Sequence, residues 1–444
     1  MKNLVSYDPS TGNAIGEVPI ATVEDINGAV EQASTAQKSW AELPVVSRVT
    51  AVIDAYETLT GKISALSELL AQEQGKDIRR ASGEVGGAVS MGGYLATEAM
   101  DAFKTQNVAR GTALQYRPLG VVGVIAPWNY PVMMANNLIV PALIAGNSVI
   151  LKPSEQTPLI AQEFFGALQT ILPKGVLQIL HGDGEVGRQL VDSNIQMIAF
   201  TGSKAVGHDI MARSAPTLKR LVMELGGNDP MIVMANANID TAAQFAVGAS
   251  FENAGQMCTS IERVYVDSSI AEKFEQRVVQ IAKQYKIGPW HQDGVNIGPI
   301  INEKQHQKIV AHIQDAQIKG ANVLLGGSTQ TMPYIKPTVL TQITNDMLIE
   351  QEETFGPVVA ISRYETIEEA IKRANDSDYG LGAVVFGGQG AEFVADQLEA
   401  GMIGINQSQG GGNAPWVGAK QSGYGYHGSA DGHRQFSQIR VVSR

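Results

Sequence analysis

Residues 118–151 read PLGVVGVIAPWNYPVMMANNLIVPALIAGNSVIL, a run without one formal charge. Such length and apolarity would suit a membrane span. Pro118, Pro127, Pro131 and Pro141 interrupt it, however, and Asn129, Asn136, Asn137 and Asn147 would have to face lipid. The run is therefore read as buried α/β core. Within it, residues 121–126 and 148–151 are short apolar stretches of strand type. Three more follow at 176–180, 197–200 and 231–233, with amphipathic segments such as 158–172 and 204–213 between them. Strands that alternate with helices predict a mostly parallel sheet covered on both faces.

Upstream, Thr22-Val23-Glu24-Asp25 reads as a helix start, and Ile26, Val30, Ala33, Ala36 and Trp40 follow near helical spacing. Downstream, residues 239–256, 271–285 and 304–318 read as helices and 261–266 as a strand. A second α/β unit is expected, with a boundary near 225–235 and no long linker. Residues 437–444, with Ile439, Val441 and Val442, read as a terminal strand that needs a partner edge, which another subunit could supply.

The chain has 444 residues, enough for two or three domains at ~150 residues each. With 44% apolar and 17% charged residues it is a globular protein, not a disordered one. Its 44 acidic and 33 basic residues give a net charge of −11, which argues against a grip on nucleic acid or anionic membrane. The first residues lack the apolar core of a signal peptide, and one cysteine, Cys258, cannot form an intrachain disulfide; a cytoplasmic location is expected. Seven scattered histidines and no cysteine pair provide no zinc ligand set, so no metal is expected.

Two glycine loops follow strands. His181-Gly182-Asp183-Gly184-Glu185-Val186-Gly187 has dinucleotide-loop spacing, and Phe200-Thr201-Gly202-Ser203 opens a helix whose N–H groups could hold a pyrophosphate. Turn chemistry and an ordinary Ser203 cap are the plainer alternatives. Lys152-Pro153-Ser154-Glu155 follows another strand, where α/β sheets bind ligands; a solvated loop is the alternative. Cys258 sits among small polar residues in Asn253-Ala254-Gly255-Gln256-Met257-Cys258-Thr259-Ser260, which suggests an exposed turn. No basic residue lies within four positions, so a nucleophilic thiolate needs help from the fold, a cofactor or a distant base. Glu224 ends an apolar strand before two glycines, either as a partly buried base or as a partner of Arg220.

These segments, with Pro127-Trp128-Asn129-Tyr130-Pro131, Glu353-Thr354-Phe355-Gly356-Pro357 and Asn375 through Tyr379-Gly380-Leu381, stand in an order that resembles the NAD(P)-dependent, non-phosphorylating aldehyde dehydrogenase superfamily. The resemblance covers nearly the whole chain. It implies an α/β fold: a Rossmann-type NAD-binding domain (1–108 and 119–226), an α/β catalytic domain (227–428) and a small β oligomerisation arm (109–118 and 429–444). A homodimer or homotetramer follows from it. The resemblance makes Cys258 the nucleophile, Asn129 with the Cys258 backbone N–H the oxyanion hole, and Glu224 the base that hydrolyses a thioester. It sets Lys152 and Glu155 on the adenosine ribose, Gly202 and Ser203 on the pyrophosphate, Glu353 on the nicotinamide ribose, and Trp128 and Phe355 beside the nicotinamide. Glu155 favours NAD over NADP, and residues 182–187 become a turn near the adenine.

The expected substrate pocket is Tyr130, Met134, Met257 and Trp416, with Met133, Asn137 and Thr259. Residues 407–418 hold no lysine or arginine, which points to a neutral aliphatic or aromatic aldehyde. Arg263 and Lys420 could still reach inward, so succinate semialdehyde is the alternative. The chain departs from the family at Leu138, where many relatives have lysine, and at His427, where many have a glutamate credited with relaying protons. His427 is read either as its substitute or as a surface histidine. Retention of Glu224 argues against an acylating, coenzyme-A-dependent relative. Retention of Cys258, Glu224 and Asn129 together argues against a non-catalytic descendant.

Overall fold

A computed structural model describes residues 2–444. The uncharged run is buried, as its prolines and asparagines require. Val121–Ile125 and Ser148–Lys152 are adjacent parallel strands in register Val122↔Val149. They belong to a six-stranded sheet in the order Gly423–Tyr424, Arg220–Glu224, Met197–Thr201, Val121–Ile125, Ser148–Lys152, Leu177–Ile179. All are parallel except the first, which runs antiparallel to Arg220–Glu224. The chain starts this sheet at Val121–Ile125, builds to one side, then returns to add Met197–Thr201 on the other. The crevice beside Val121–Ile125 is thus a topological switch point, where α/β sheets take ligands. Ile125, Lys152, Thr201 and Glu224 all stand at the carboxyl ends of their strands.

A second sheet has seven strands in the order Asn322–Leu325, Thr338–Thr341, Val358–Tyr364, Ile261–Asp267, Asp229–Val233, Gly382–Phe386, Met402–Ile405. Only its edge strand Asn322–Leu325 is antiparallel. Each sheet is sandwiched by helices, so its inner strands are apolar on both faces rather than alternating.

The helix Val23–Glu42 starts at Thr22 as read, with a full capping box between Thr22 and Asp25. The expected helix over 239–256 ends early, at Phe251. Asn253 and Ala254 turn left-handed (φ 49° and 59°), and Gly255 follows at φ 72°. A side chain at Gly255 would meet the Gly356 carbonyl at 2.1 Å, so a close backbone approach from another segment overrides the apolar periodicity. The N-terminal hairpin of Asn3–Tyr7 with Ala14–Pro19, and the long helix Ile78–Ala102, were not read from the sequence.

The terminal strand Ser437–Ser443 finds its edge inside its own chain. It pairs antiparallel with Thr112–Pro118, from Ser437↔Pro118 to Ser443↔Thr112, and Gln106–Ala109 adds a third strand. The preceding helix Ser429–Arg434 packs on Ile78–Ala102 and delivers the strand there, and the strand's second edge is the outer edge of this small sheet. Ile439 and Val441 remain exposed on this small sheet. Among the described residues no helix is long and apolar enough to cross a membrane.

Candidate active site

A cavity of about 560 Å³ runs along the carboxyl ends of the six-stranded sheet. It brings together Trp128, Asn129, Tyr130, Met134, Lys152, Glu155, Gly202, Ser203, Cys258, Glu353 and Phe355, drawn from five separate segments of the chain. Glu224, Met257 and Trp416 are not on its wall. Met257 is half-buried next to Cys258, and Trp416 stacks on His427, which lies beside Glu224.

The half-buried Cys258 thiol faces Glu224 Oε1 at 3.5 Å. Glu224 is buried at the end of Arg220–Glu224, and its Oε2 accepts from Thr201 Oγ1 at 3.2 Å. His427 Nε2 lies 3.4 Å from the same oxygen. The Arg220 alternative fails: Arg220 reaches outward to Gln438 Oε1 at 2.8 Å. Burial pushes the Cys258 thiol well above its ordinary value, and the carboxylates Glu224, Asp229 and Glu353 push it further. Glu224 is therefore the carboxylate within reach of a thiol that holds its proton tightly.

His427 is buried, not a surface histidine; its ring stacks on Trp416 with centroids 6.4 Å apart and planes 14° apart. The backbones of the two residues also bond, Trp416 N to His427 O at 2.8 Å. The Trp416 indole N–H has no partner.

Asn129 Nδ2 donates one hydrogen to Gln256 O at 3.1 Å, which leaves its second free. Tyr130 lines the cavity with its body only: its hydroxyl donates to Glu252 Oε1 at 3.0 Å and Lys76 Nζ lies 3.9 Å from its ring centroid.

At the other end of the cavity Lys152 is buried and lies 3.5 Å from the half-exposed Glu155 carboxylate. Ser203 opens the helix Lys204–Ser214 but makes no side-chain cap, contrary to the plain alternative. Gly184, Gly187 and Arg188 line the far wall, where Asp183 caps the helix Gly184–Asp192. Glu353 Oε1 accepts from Gly227 N at 3.0 Å, and a side chain at Gly226 would come within 2.6 Å of that oxygen. Trp128 and Phe355 meet edge to face at 5.6 Å.

Phe355 holds a left-handed φ of 57°, and sequence reading missed what secures it. Glu262 accepts from the backbone N–H of Thr354 and of Phe355, while Gln305 Nε2 donates to both of their carbonyls. A glutamate inside the apolar strand Ile261–Asp267 was the available signal. Burial, aided by Glu353, pushes the Glu262 carboxyl from 4.5 to about 8 despite those two N–H groups. Burial likewise raises Glu73 and Asp229 to about 7 each. A carboxyl that keeps its proton better folded than unfolded stabilises the fold below its ordinary pKa. That contribution is lost as pH rises through the folded value. Unfolding stability is therefore expected to fall between pH 4.5 and about 8. Denaturation midpoints across that window should decline less steeply in Glu262→Gln; an equal slope in both proteins refutes the assignment.

Lys152, Arg188 and Lys308 line the cavity, but the two cations expected to reach inward, Arg263 and Lys420, do not. Arg263 is buried against the carbonyls of Asn228, Arg373 and Ala374, and Lys420 binds the carbonyls of Asn375 and Ser377 near Glu399.

The model of the aldehyde dehydrogenase family matches residues 2–442. A mitochondrial succinate-semialdehyde dehydrogenase of Arabidopsis thaliana is 36% identical over 99% of this chain and 86% of its own. A probable NADP(+) succinate-semialdehyde dehydrogenase of Sinorhizobium fredii is 36% identical over 98% of this chain and 91% of its own. The crystal structure of lactaldehyde dehydrogenase from Escherichia coli is similar at a TM-score of 0.96 and 31% identity, covering 100% of this chain and 96% of that one.

Proposed function

Because the chain belongs to the aldehyde dehydrogenase family, we propose that it oxidises an aldehyde to the carboxylic acid with NAD, through a thioester on Cys258. One observation carries this reading: the Cys258 thiol and the buried Glu224 carboxylate face each other at 3.5 Å where the cavity meets the sheet.

The residues fit a dinucleotide. The uncapped start of the helix Lys204–Ser214 at Gly202 and Ser203 suits a pyrophosphate, Lys152 and Glu155 suit the adenosine ribose, and Glu353 suits the second ribose, with Trp128 and Phe355 at the ring. When bound, the nicotinamide accepts a hydride. Glu224 receives the thiol proton while Sγ bonds to the aldehyde carbon. The free Asn129 N–H and the Cys258 backbone N–H steady the oxyanion. Glu224 must first release the thiol proton to solvent; it then takes a proton from water, whose oxygen attacks the thioester carbon, and the C–S electron pair returns to Sγ. His427, 3.4 Å from Glu224, is the next acceptor for that proton.

A neutral aliphatic or aromatic aldehyde fits best. The charged group hydrogen-bonded to Tyr130 is the carboxylate Glu252, and neither Arg263 nor Lys420 faces the cavity. The names of similar relatives favour succinate semialdehyde as the second reading. NADH formation across short aliphatic, aromatic and succinic semialdehydes separates the two: the highest kcat/KM on succinate semialdehyde would reverse the order. No turnover with any aldehyde, with NAD or NADP, would move the reading to a non-catalytic descendant.

The relatives named for NADP(+) make cofactor choice a sharp test. The Glu155 carboxylate would meet a 2′-phosphate at close range, so NAD is the proposed cofactor. Glu155→Ser is expected to raise kcat/KM for NADP at least about tenfold relative to NAD, the equivalent of ~1.4 kcal/mol. An unchanged ratio refutes the role. We also propose the domain division above and a homodimer or homotetramer joined through the small sheet, supported by its exposed Ile439 and Val441. A monomer at micromolar concentration in light scattering would refute the assembly.

A further inference from the structure

Behind Asn129, away from the cavity, lies a buried ion pair that the reaction as described does not use. The helix Ile63–Gln74 ends at Gly75 (φ 88°), whose missing side chain lets Pro299 and Pro9 pack against the turn. Lys76 follows. Asp77 then caps the helix Ile78–Ala102, which carries Glu84. Lys76 and Glu84 are both buried and their side chains are in contact at 2.5 Å.

Neither charge stops at the other. Lys76 Nζ donates to the Asn129 carbonyl at 2.6 Å and covers the Tyr130 ring. Glu84 Oε1 accepts from Val132 N at 3.1 Å and Met133 N at 3.3 Å, two of the unpaired N–H groups at the start of the helix Pro131–Ile144. The pair thus holds both sides of the Trp128–Pro131 bend. From the opposite side Asn253 Nδ2 reaches the same Asn129 carbonyl at 3.4 Å and Gln256 O at 3.2 Å. Asn129 is thereby fixed between the nucleophile loop and a buried ammonium.

We propose that Lys76 and Glu84 are positioning residues for the oxyanion hole: they lock the Asn129 backbone so that its free side-chain N–H already points to where the aldehyde oxygen becomes negative. The inference rests on the reading of Asn129 above. A preorganised donor needs no reorientation as charge develops, and losing one donor costs roughly 10²–10³ in rate. A buried ion pair is by itself weak evidence for stability, since an apolar replacement of both members is often neutral. That separates this role from simple support of the fold.

The test is Lys76→Met/Glu84→Gln, which removes both charges together and keeps an acceptor for Val132 and Met133. Its kcat is expected to fall about a hundredfold. NAD affinity, the rate of Cys258 alkylation by iodoacetamide and the Tm should stay near wild type. In an Asn129→Ala background the same pair of changes should cost almost nothing further, because the anchored donor is already gone. Lys76→Arg, which retains the charge beside Glu84, should recover activity to within about tenfold of wild type. An unchanged kcat would overturn the proposal. So would a loss of kcat, NAD affinity and alkylation in common, or a full hundredfold loss persisting in the Asn129→Ala background. A variant that does not fold would also overturn it, by making the pair a requirement of the fold. Failure of the activity itself is distinguished by wild type: no NADH from any aldehyde rejects the reading on which this rests.

Discussion

Cys258→Ala should abolish NADH formation, by at least about 10⁴-fold, while NAD binding and the denaturation profile stay close to wild type. The size follows from covalent catalysis. Without Sγ no bond to the aldehyde carbon forms, and the remaining groups serve only to bind and to donate hydrogen bonds. The structural effect should be small because Cys258 is half-buried on the cavity wall and its thiol makes one hydrogen bond, to Glu224. The thiol sits among Glu224, Asp229 and Glu353 in a buried setting that holds its proton. Alkylation of wild-type Cys258 should therefore keep rising with pH beyond 9, the ordinary value for a thiol. Turnover by Cys258→Ala within tenfold of wild type would remove the nucleophile from the proposal.

Glu224→Gln should divide the reaction into its halves. A first NADH per subunit is expected to appear, followed by a steady rate about 10²–10⁴ lower than wild type. Glutamine is isosteric and can still contact Thr201 and His427, so the pocket keeps its shape. Removing the charge also removes one of the carboxylates that keep the thiol protonated, so thiolate can form with the proton lost to solvent. Water attack has no such alternative, because the attacking water must lose its proton inside the site. Stopped-flow absorbance at the NADH band reads both phases. A steady rate equal to wild type, or a burst lost together with the steady rate, would contradict the division of labour given to Glu224.

Many of the residues that line the cavity were legible in the sequence. Lys152, Thr201 and Glu224 each end an apolar run, and an ionisable or polar residue at that point of a parallel strand faces the ligand side of the sheet. The single cysteine stood out among small polar residues, though it is half-buried rather than on an exposed turn. What failed locally was the helix expected over 239–256. Its apolar spacing continues past Phe251, yet the approach of Gly356 bends Asn253–Gly255 into the loop that presents Cys258. The terminal strand was read as a strand, and it pairs with Thr112–Pro118, the other part of the expected arm.

The supporting shell was not legible. Lys76 and Asn129 are 53 positions apart, and Glu224 and His427 are 203 apart. Nothing local marks either pair. The sequence by itself determined the alternation of strand and helix, the ends at which chemistry could sit, and the candidate groups for that chemistry. Periodicity is a local record of which faces are buried, and side-chain chemistry is intrinsic. Tertiary structure alone decided that His427 is buried on Glu224, that Arg263 and Lys420 turn away from the cavity, and that a buried ion pair stands behind Asn129. Those contacts depend on the order of strands in a sheet and on the packing between segments. Local spacing does not encode either.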